Sequence, residues 1–343
     1  MLLRLPSFFA EQELKVNSLL GFRVSRICLR GLLLSLVLPA VALAQNFPAK
    51  AITIVVPYTA GGGTDTFARA IGQQLATSLG VSVVVENKPG ASGAIGADVV
   101  ARAVPDGHTL LYAASTIATA ALTTPNIKLD PLRDLMPVTQ TMSIPHVVAV
   151  HTSVPARSIA ELMALIKGSP SKYTYGSGGQ GSAAHLATEL WAQKSGLKVR
   201  HIPYKGAAPA VNALIAGQID IALLVPPLVQ ANIKAGRLRA LAVTSATRSS
   251  ALAEVETMQE AGIKEFEALQ WHGLFAPVGT PLAVADQLRM AVAQALASPA
   301  VKKLLAQEGA VGIGNTPEQF KSVLVSEIAY WSALIKQNNL TFD

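Results

Sequence analysis

The side chains best suited to chemistry lie in one stretch. Ser177 and Ser182 flank the glycines of Gly176-Ser177-Gly178-Gly179-Gln180-Gly181-Ser182, and His185 follows inside the next helical pattern. A serine nucleophile needs a base within hydrogen-bond reach and a third group to orient that base. His185 falls about one helical turn beyond Ser182, so an exported α/β hydrolase using Ser177 or Ser182 is one reading of the segment. Against it, Tyr175-Gly176-Ser177-Gly178-Gly179 lacks the first glycine of the Gly-x-Ser-x-Gly elbow, and nothing fixes the third group. The plainer role of His185 is a polar residue bonding to a loop or ligand. His185 and Glu189 share a helical face, but the His-Glu-x-x-His pattern is absent and the remaining histidines (108, 146, 151, 201 and 272) are scattered, so no metal is implied. Gly90, Gly93 and Gly96 have the wrong spacing for a dinucleotide fingerprint, and no Gly-Lys-Ser or Gly-Lys-Thr loop is present. No cofactor is expected.

A second glycine-rich loop offers binding rather than catalysis. Pro57-Tyr58-Thr59-Ala60-Gly61-Gly62-Gly63-Thr64-Asp65 joins an apolar strand, Ile52 to Val56, to an amphipathic helix. Glycines permit a tight turn, and the first turn of a helix presents N–H groups lacking intrahelical acceptors, so the junction is an anion seat. It holds no lysine or arginine, which suits reversible capture of a carboxylate by dipoles, hydroxyls and water. Asp65 sits where a first-turn acid would stabilise the helix dipole; it could equally orient the loop or repel a second carboxylate. The loop from Gly176 to Ser182 repeats this strand–glycine–helix arrangement. Such turns are common in α/β folds, yet a matched pair implies a cleft between two lobes. Tyr204-Lys205-Gly206, after the strand that ends at Pro203, reads either as a surface turn or as a hydroxyl and a cation beside that cleft.

These loops require alternating strands and helices to position them. From Ala51 the order is strand Ile52 to Val56, a helix with Phe67, Ile71, Leu75 and Leu79 on one stripe, strand Val81 to Val85, a helix carrying Ile95, Val99, Val100 and Ala103, and strand Thr109 to Ala113. A second set runs from His146 to Val150 through a Ser158/Glu161 capping pattern, strand Tyr173 to Tyr175, helix Ser182 to Ser195 and strand Val199 to Pro203. Helix Ala208 to Ala216, strand Ile219 to Val225, helix Pro227 to Ala235 and strand Leu238 to Thr244 follow, and a helical tail starts at Pro281. Near-continuous apolar strands between helices predict α/β domains with mainly parallel sheets. The chain crosses outward near Pro145 to His151 and back near Phe266 to Phe275. This divides it into a domain of residues 45–147 plus 268–343 and a domain of residues 148–267.

The chain has 343 residues, 50% hydrophobic and 14% charged, which excludes disorder as its main theme. Arg23, Arg26 and Arg30 precede the apolar run Leu32 to Leu38, and Ala42-Leu43-Ala44 supplies a small-x-small site. Residues 1–44 read as a secretory signal peptide cleaved after Ala44, placing the mature chain in the periplasm. The lone Cys28 precedes the apolar run, so neither disulfide nor lipid anchor is expected. Removing residues 1–44 lowers the net charge from +7 to +4. No Lys/Arg cluster footprints nucleic acid, and aromatic residues make up only 5% of the chain, too few to suggest base stacking.

Several motifs in order resemble one family: residues 57–65, Glu86-Asn87-Lys88-Pro89-Gly90-Ala91 with Gly93, Pro105-Asp106-Gly107-His108-Thr109-Leu110, Gly176 to Leu186, and Val199 to Ala208. Together they are similar to the substrate-binding proteins of tripartite tricarboxylate transporters, the TctC-like or Bug family, over about residues 46–343. The resemblance implies a periplasmic-binding-protein-like type II fold, two α/β domains closing on a small organic acid. It implies a monomeric receptor, not an enzyme, delivering ligand to the large and small membrane subunits of a permease; a sensory co-receptor would use the same ligand chemistry. By matching motif it assigns Tyr58, Ala60, Gly61, Gly62, Thr64 and Asp65 of the first loop, and Ser177, Gly178, Gly181, Ser182 and His185 of the second, to the ligand, with Tyr204 beside them. Ser115 and Thr116 remain where many members continue with a histidine and an asparagine. This chain has Ile117-Ala118-Thr119-Ala120-Ala121 there, so that region is expected to tune ligand choice, and a citrate-like substrate does not follow.

Overall fold

The structure is a computed structural model that describes residues 47–342; the export segment, its cleavage point and Cys28 lie outside the described residues. Strand β1 (Ile52–Val56) is almost wholly buried, as an Ile/Val-rich run between two faces of helices demands. Helix α1 (Gly63–Leu79) buries Phe67, Ala68, Ile71 and Leu75 and ends at Gly80, whose φ of 70° is the left-handed stop expected of a C-terminal glycine. Strand β2 (Val83–Asn87) starts two residues later than the apolar run from Val81, because its pairing with β1 extends to Asn87 opposite Val56. Helix α2 (Ala94–Ala101), strand β3 (Thr109–Ala114), helix α3 (Thr116–Thr123) and the short helix α4 (Pro131–Asp134) follow.

Strand β4 (Leu135–Pro145) then leads within two residues to β5 (Val147–His151), helix α5 (Ile159–Gly168), strand β6 (Thr174–Ser177), helix α6 (Ala183–Ser195) and strand β7 (Arg200–Pro203). Ser158 caps α5 through the Glu161 N–H, but the Glu161 carboxylate accepts from the Arg157 N–H rather than closing a reciprocal box. Helix α7 (Ala207–Ile215), strand β8 (Ile221–Leu224), helix α8 (Pro226–Lys234) and strand β9 (Leu238–Val243) continue the alternation. Strand β10 (Leu269–Pro277) returns to the first sheet, followed by helices α9 (Leu282–Ala297) and α10 (Pro299–Glu308), the two-residue strand β11 (Val311–Gly312) and helix α11 (Pro317–Gln337).

Two sheets result, in the orders β11-β4-β10-β3-β1-β2 and β7-β6-β8-β5-β9. The α/β class and the type II division expected from the sequence hold, while strand direction is more mixed than "mainly parallel". β1, β2 and β3 are mutually parallel, as are β6, β7 and β8. β10 runs antiparallel to both β3 and β4, and β5 runs antiparallel to both β8 and β9. These strands adjoin the chain crossings and so arrive from the other end of the sheet. A strand buried on both faces reads as the same apolar run in either direction, which is why periodicity missed the mixture.

Each sheet is packed on both faces. In β1, Ile54 joins one core cluster with Phe67, Ile71 and Leu75, while its neighbour Val55 joins another with Leu111, Phe275 and Phe320. In β5, Val148 packs with Tyr175 and Trp191, and Val147 with Val211 and Leu214. Complete burial of such side chains contributes about 1.5–3 kcal/mol each. Helix α11 departs from the expected division: Phe320 and Leu324 sit in the first lobe's core, but Trp331 and Leu334 pack into the second's. Its Glu327 accepts the indole N–H of Trp271 on β10 and that of Trp331, at 3.0 Å for the latter. Where the chain crosses, Thr244 knits both segments. Its N–H donates to His146 O at 2.9 Å and its hydroxyl to Ala268 O at 2.6 Å.

Candidate ligand-binding site

The first loop is shaped by its own carboxylate. Asp65 is 4% exposed; its Oδ2 accepts from the Gly61 N–H at 2.9 Å and from Arg69 Nε at 3.0 Å, and its Oδ1 accepts from Asn87 Nδ2 at 3.0 Å. Burial opposes the ionised form, but hydrogen bonds from Arg69, Gly61 and Asn87 outweigh it and hold the carboxyl below its ordinary range. Of the three glycines in the loop only Gly61 has positive φ, 82°, and its fixed N–H is the one Asp65 grips. Gly62 caps α1 with extended backbone, and the first bond across the helix start runs from the Thr66 N–H to Gly62 O at 3.0 Å. The Gly62 and Gly63 N–H groups, on exposed residues, and the Thr64 N–H therefore precede the ladder at the positive end of the helix. Thr64 itself is buried, its hydroxyl 3.2 Å from Nε2 of His272 on β10.

The first loop is tied to α3. The Tyr58 hydroxyl lies 2.7 Å from Thr116 Oγ1 at the start of that helix. Ser115 is 3% exposed and donates its backbone N–H to Trp271 O, so it braces the turn. At the other end of α3, Thr123 meets the second loop: a Cβ built on Gly181 would fall 2.4 Å from the Thr123 Cβ. The two glycine loops thus approach opposite ends of one eight-residue helix, about 12 Å long at 1.5 Å per residue. Behind α3, a cavity of about 10 Å³ lined by Thr116, Thr119, Ala183 and Trp331 has room for about one water.

The second loop is held from beneath. Ser177 is fully buried; its hydroxyl donates to Gly179 O at 2.9 Å, accepts the Gly179 N–H at 3.2 Å, and lies 2.7 Å from His201 Nε2. Gly181 donates its N–H to His185 Nδ1 at 3.0 Å, and Ser182 caps α6 by accepting the His185 N–H at 3.3 Å. The Tyr204–Gly206 turn runs alongside, with Tyr204 N–H donating to Ser177 O and Gly206 N–H to Gly178 O, both at 3.1 Å. Burial drives the pKa of His185 down to about 3, with His201 adding to the shift, and burial lowers His201 to about 4 and His272 to about 3; all three are neutral donors or acceptors.

The sequence-derived residues therefore fall into two groups. Ala60, Gly61 and Gly62 are exposed, and Tyr58, Thr116, Gly178, Ser182 and Tyr204 are partly so. Thr64, Asp65, Ser115, Ser177, Gly181 and His185 are buried. In this conformation the side chains of Thr64, Asp65, Ser177 and His185 hold the loops in place. Serine catalysis has no support in the geometry: the Ser177 proton goes to a carbonyl, and no solvent reaches its oxygen. Sequence reasoning passed over Asn87, Thr123, His201 and His272. Asn87 was visible within the Glu86–Ala91 motif, whereas the histidines gave no local signal because their partners lie 24 and 208 residues away.

Comparison with known proteins identifies the family. Residues 67–340 match the family model described as the tripartite tricarboxylate transporter family receptor. Protein BugT of Bordetella pertussis is 36% identical over 296 residues, covering 86% of this chain and 91% of that protein. Among solved structures, R. palustris Rpa4515 with adipate is 33% identical with a TM-score of 0.77, covering 87% of this chain and all of the other. MatC from Rhodopseudomonas palustris with bound malate is 29% identical with a TM-score of 0.73, covering 84% of this chain and 100% of that one. This chain belongs to the tripartite tricarboxylate transporter receptor family, whose members are periplasmic substrate-binding proteins and not enzymes.

Proposed function

We propose that this protein captures a small carboxylate-bearing metabolite between its lobes and hands it to a membrane permease with large and small subunits. The observation that carries the reading is the placement of two glycine loops at opposite ends of α3, with helix-terminal N–H groups at one of them and the Tyr58 and Thr116 hydroxyls alongside. Adipate in one relative and malate in another support a small organic acid as the ligand class. A carboxylate would sit over the Gly62–Thr64 amides, and the second loop, with Ser182 and Tyr204, would close on the remainder of the ligand. Contact with both lobes makes affinity for the closed form exceed that for the open form, so binding shifts the population toward closure. The lobes divide at 147/148 and 267/268, apart from the tail beyond Trp331 that lies against the second lobe. The segment 1–44 directs export and is cleaved after Ala44, leaving a periplasmic monomer.

Isothermal titration against mono-, di- and tricarboxylates and their amide analogues tests this. Saturable binding of at least one acid and none of its uncharged amide is the expected result. A panel without a binder, or equal binding of acid and amide, would overturn it.

A further inference from the structure

Three near-parallel rings lie beneath the second glycine loop. His201 on β7 stacks on His185 of α6 with centroids 4.1 Å apart and planes 9° from parallel, and on Tyr175 of β6 at 4.7 Å and 16°. Tyr175 and His185 are 6.3 Å apart at 22°. The cluster is anchored at its far side, where the Tyr175 hydroxyl donates to Glu189 Oε1 at 2.5 Å, and the Phe342 ring meets His185 edge-on. Each imidazole then sends one nitrogen to a different point of the loop: His201 Nε2 to Ser177 Oγ, and His185 Nδ1 to the Gly181 N–H.

Proton counting fixes the roles. The Ser177 hydroxyl has one hydrogen, given to Gly179 O, and two lone pairs, one taken by the Gly179 N–H. The contact at 2.7 Å is therefore a donation from His201 Nε2–H into the remaining lone pair. His185 must carry its proton on Nε2, since its Nδ1 accepts. The His185 bond needs a neutral ring protonated on Nε2, the His201 bond needs a proton on Nε2, and the two rings are stacked against each other.

We propose that His201 is a positioning residue for ligand capture: by saturating Ser177 Oγ while stacked on His185, it sets the shape of loop 177–181 so that its backbone faces the ligand. The loop is then held at both ends by one rigid stack rather than by ligand contact, and arrives pre-organised. This deepens the proposed function and rests on it for the ligand, though the loop geometry stands independently.

Two substitutions separate the hydrogen bond from the stack. His201→Phe keeps a flat ring and loses the donor; His201→Gln loses the ring and keeps an N–H at the position of Nε2. In the ligand-free protein, amide exchange at Gly179 and Gly181 is expected to speed up by about tenfold or more in the Phe variant and to stay within about threefold of the parent in the Gln variant. Carboxylate affinity is expected to fall by about tenfold in the Phe variant and to recover in the Gln variant, with melting temperatures within about 4 °C of the parent. Parent-like exchange and affinity in the Phe variant would overturn the proposal, as would equal damage in both variants, which would make the stack alone responsible. If the parent protein binds no carboxylate, the functional reading fails while the exchange comparison still decides the role of His201.

Discussion

Gly181 approaches Thr123 so closely that a Cβ on the glycine would lie 2.4 Å from that of the threonine. The contact joins the loop before α6 to the end of α3, across the two lobes, and Gly181 holds φ at 70°. Space and backbone both require glycine there, and under the proposed closure of the lobes the space is needed in the closed form.

Gly181→Ala is therefore expected to act mainly on closure. The left-handed backbone costs a non-glycine residue about 1–2 kcal/mol, and the clash with Thr123 adds a penalty confined to the closed form. Affinity measured by titration calorimetry should drop by at least about tenfold, and Thr123→Gly in the same chain should restore part of it. Unchanged affinity in the single variant would show that the two residues separate when ligand is bound.

Gly62→Val makes the opposite kind of change. Gly62 has φ −78°, and the nearest atom to an added Cβ is Thr59 O at 3.7 Å, so a side chain fits without strain. The fold should survive, with melting temperature shifted by no more than about 3 °C, while the isopropyl group covers the helix-terminal amides and abolishes carboxylate binding. Retained binding would move the carboxylate away from the first loop.

Asp65→Ala leaves Arg69 without its carboxylate and removes the acceptors of the Gly61 N–H and one Asn87 N–H. Groups stripped of a buried partner cost about 1–3 kcal/mol. Urea unfolding should register a loss of that size, with weaker ligand binding because Gly61 is freed; Asp65→Asn should lose less of each. Equal stability of the Ala variant and the parent would deny Asp65 its bracing role.

Acid should weaken the fold. His146, His185, His201 and His272 are pushed down to about 4, 3, 4 and 3 by burial, from an ordinary 6.5. The unfolded chain takes up protons first, so their contribution is complete above pH 6.5 and is lost as pH falls below it. Burial raises Glu327 from 4.5 to about 7 despite the two indole donors, so its contribution runs the other way, present below 4.5 and lost as pH rises through 7. Four groups outweigh one, and calorimetric melting temperature should decline from pH 6.5 to 4.5. Glu327→Gln removes the opposing contribution and should steepen that decline. A melting temperature rising toward pH 4.5 would contradict the assignment.

Much of the scaffold was legible because it is written in short-range pattern. Ile52–Val56 was read to the residue, and α6, β7 and β9 to within one, since apolar runs, glycine stops and caps are local signals. Strand β4 was not read: Pro137, Thr139, Gln140 and Thr141 interrupt its apolar character, and it forms because β10 returns to pair beside it. The two glycine loops were legible for the same local reason. Their supports were not, because Ser177–His201, Thr64–His272 and Gly181–Thr123 are contacts between residues far apart in the chain, and a lone histidine in a strand carries no trace of its partner.

In the proposed binding mode, backbone amides of both loops receive the same ligand. Titrating the tightest-binding carboxylate into nitrogen-15-labelled protein, and following the amide resonances of Gly62, Gly63 and Gly178, tests this. All three are expected to shift along one binding curve. Shifts confined to a single loop, or appearing elsewhere with these three unmoved, would mean that the loops do not share the ligand.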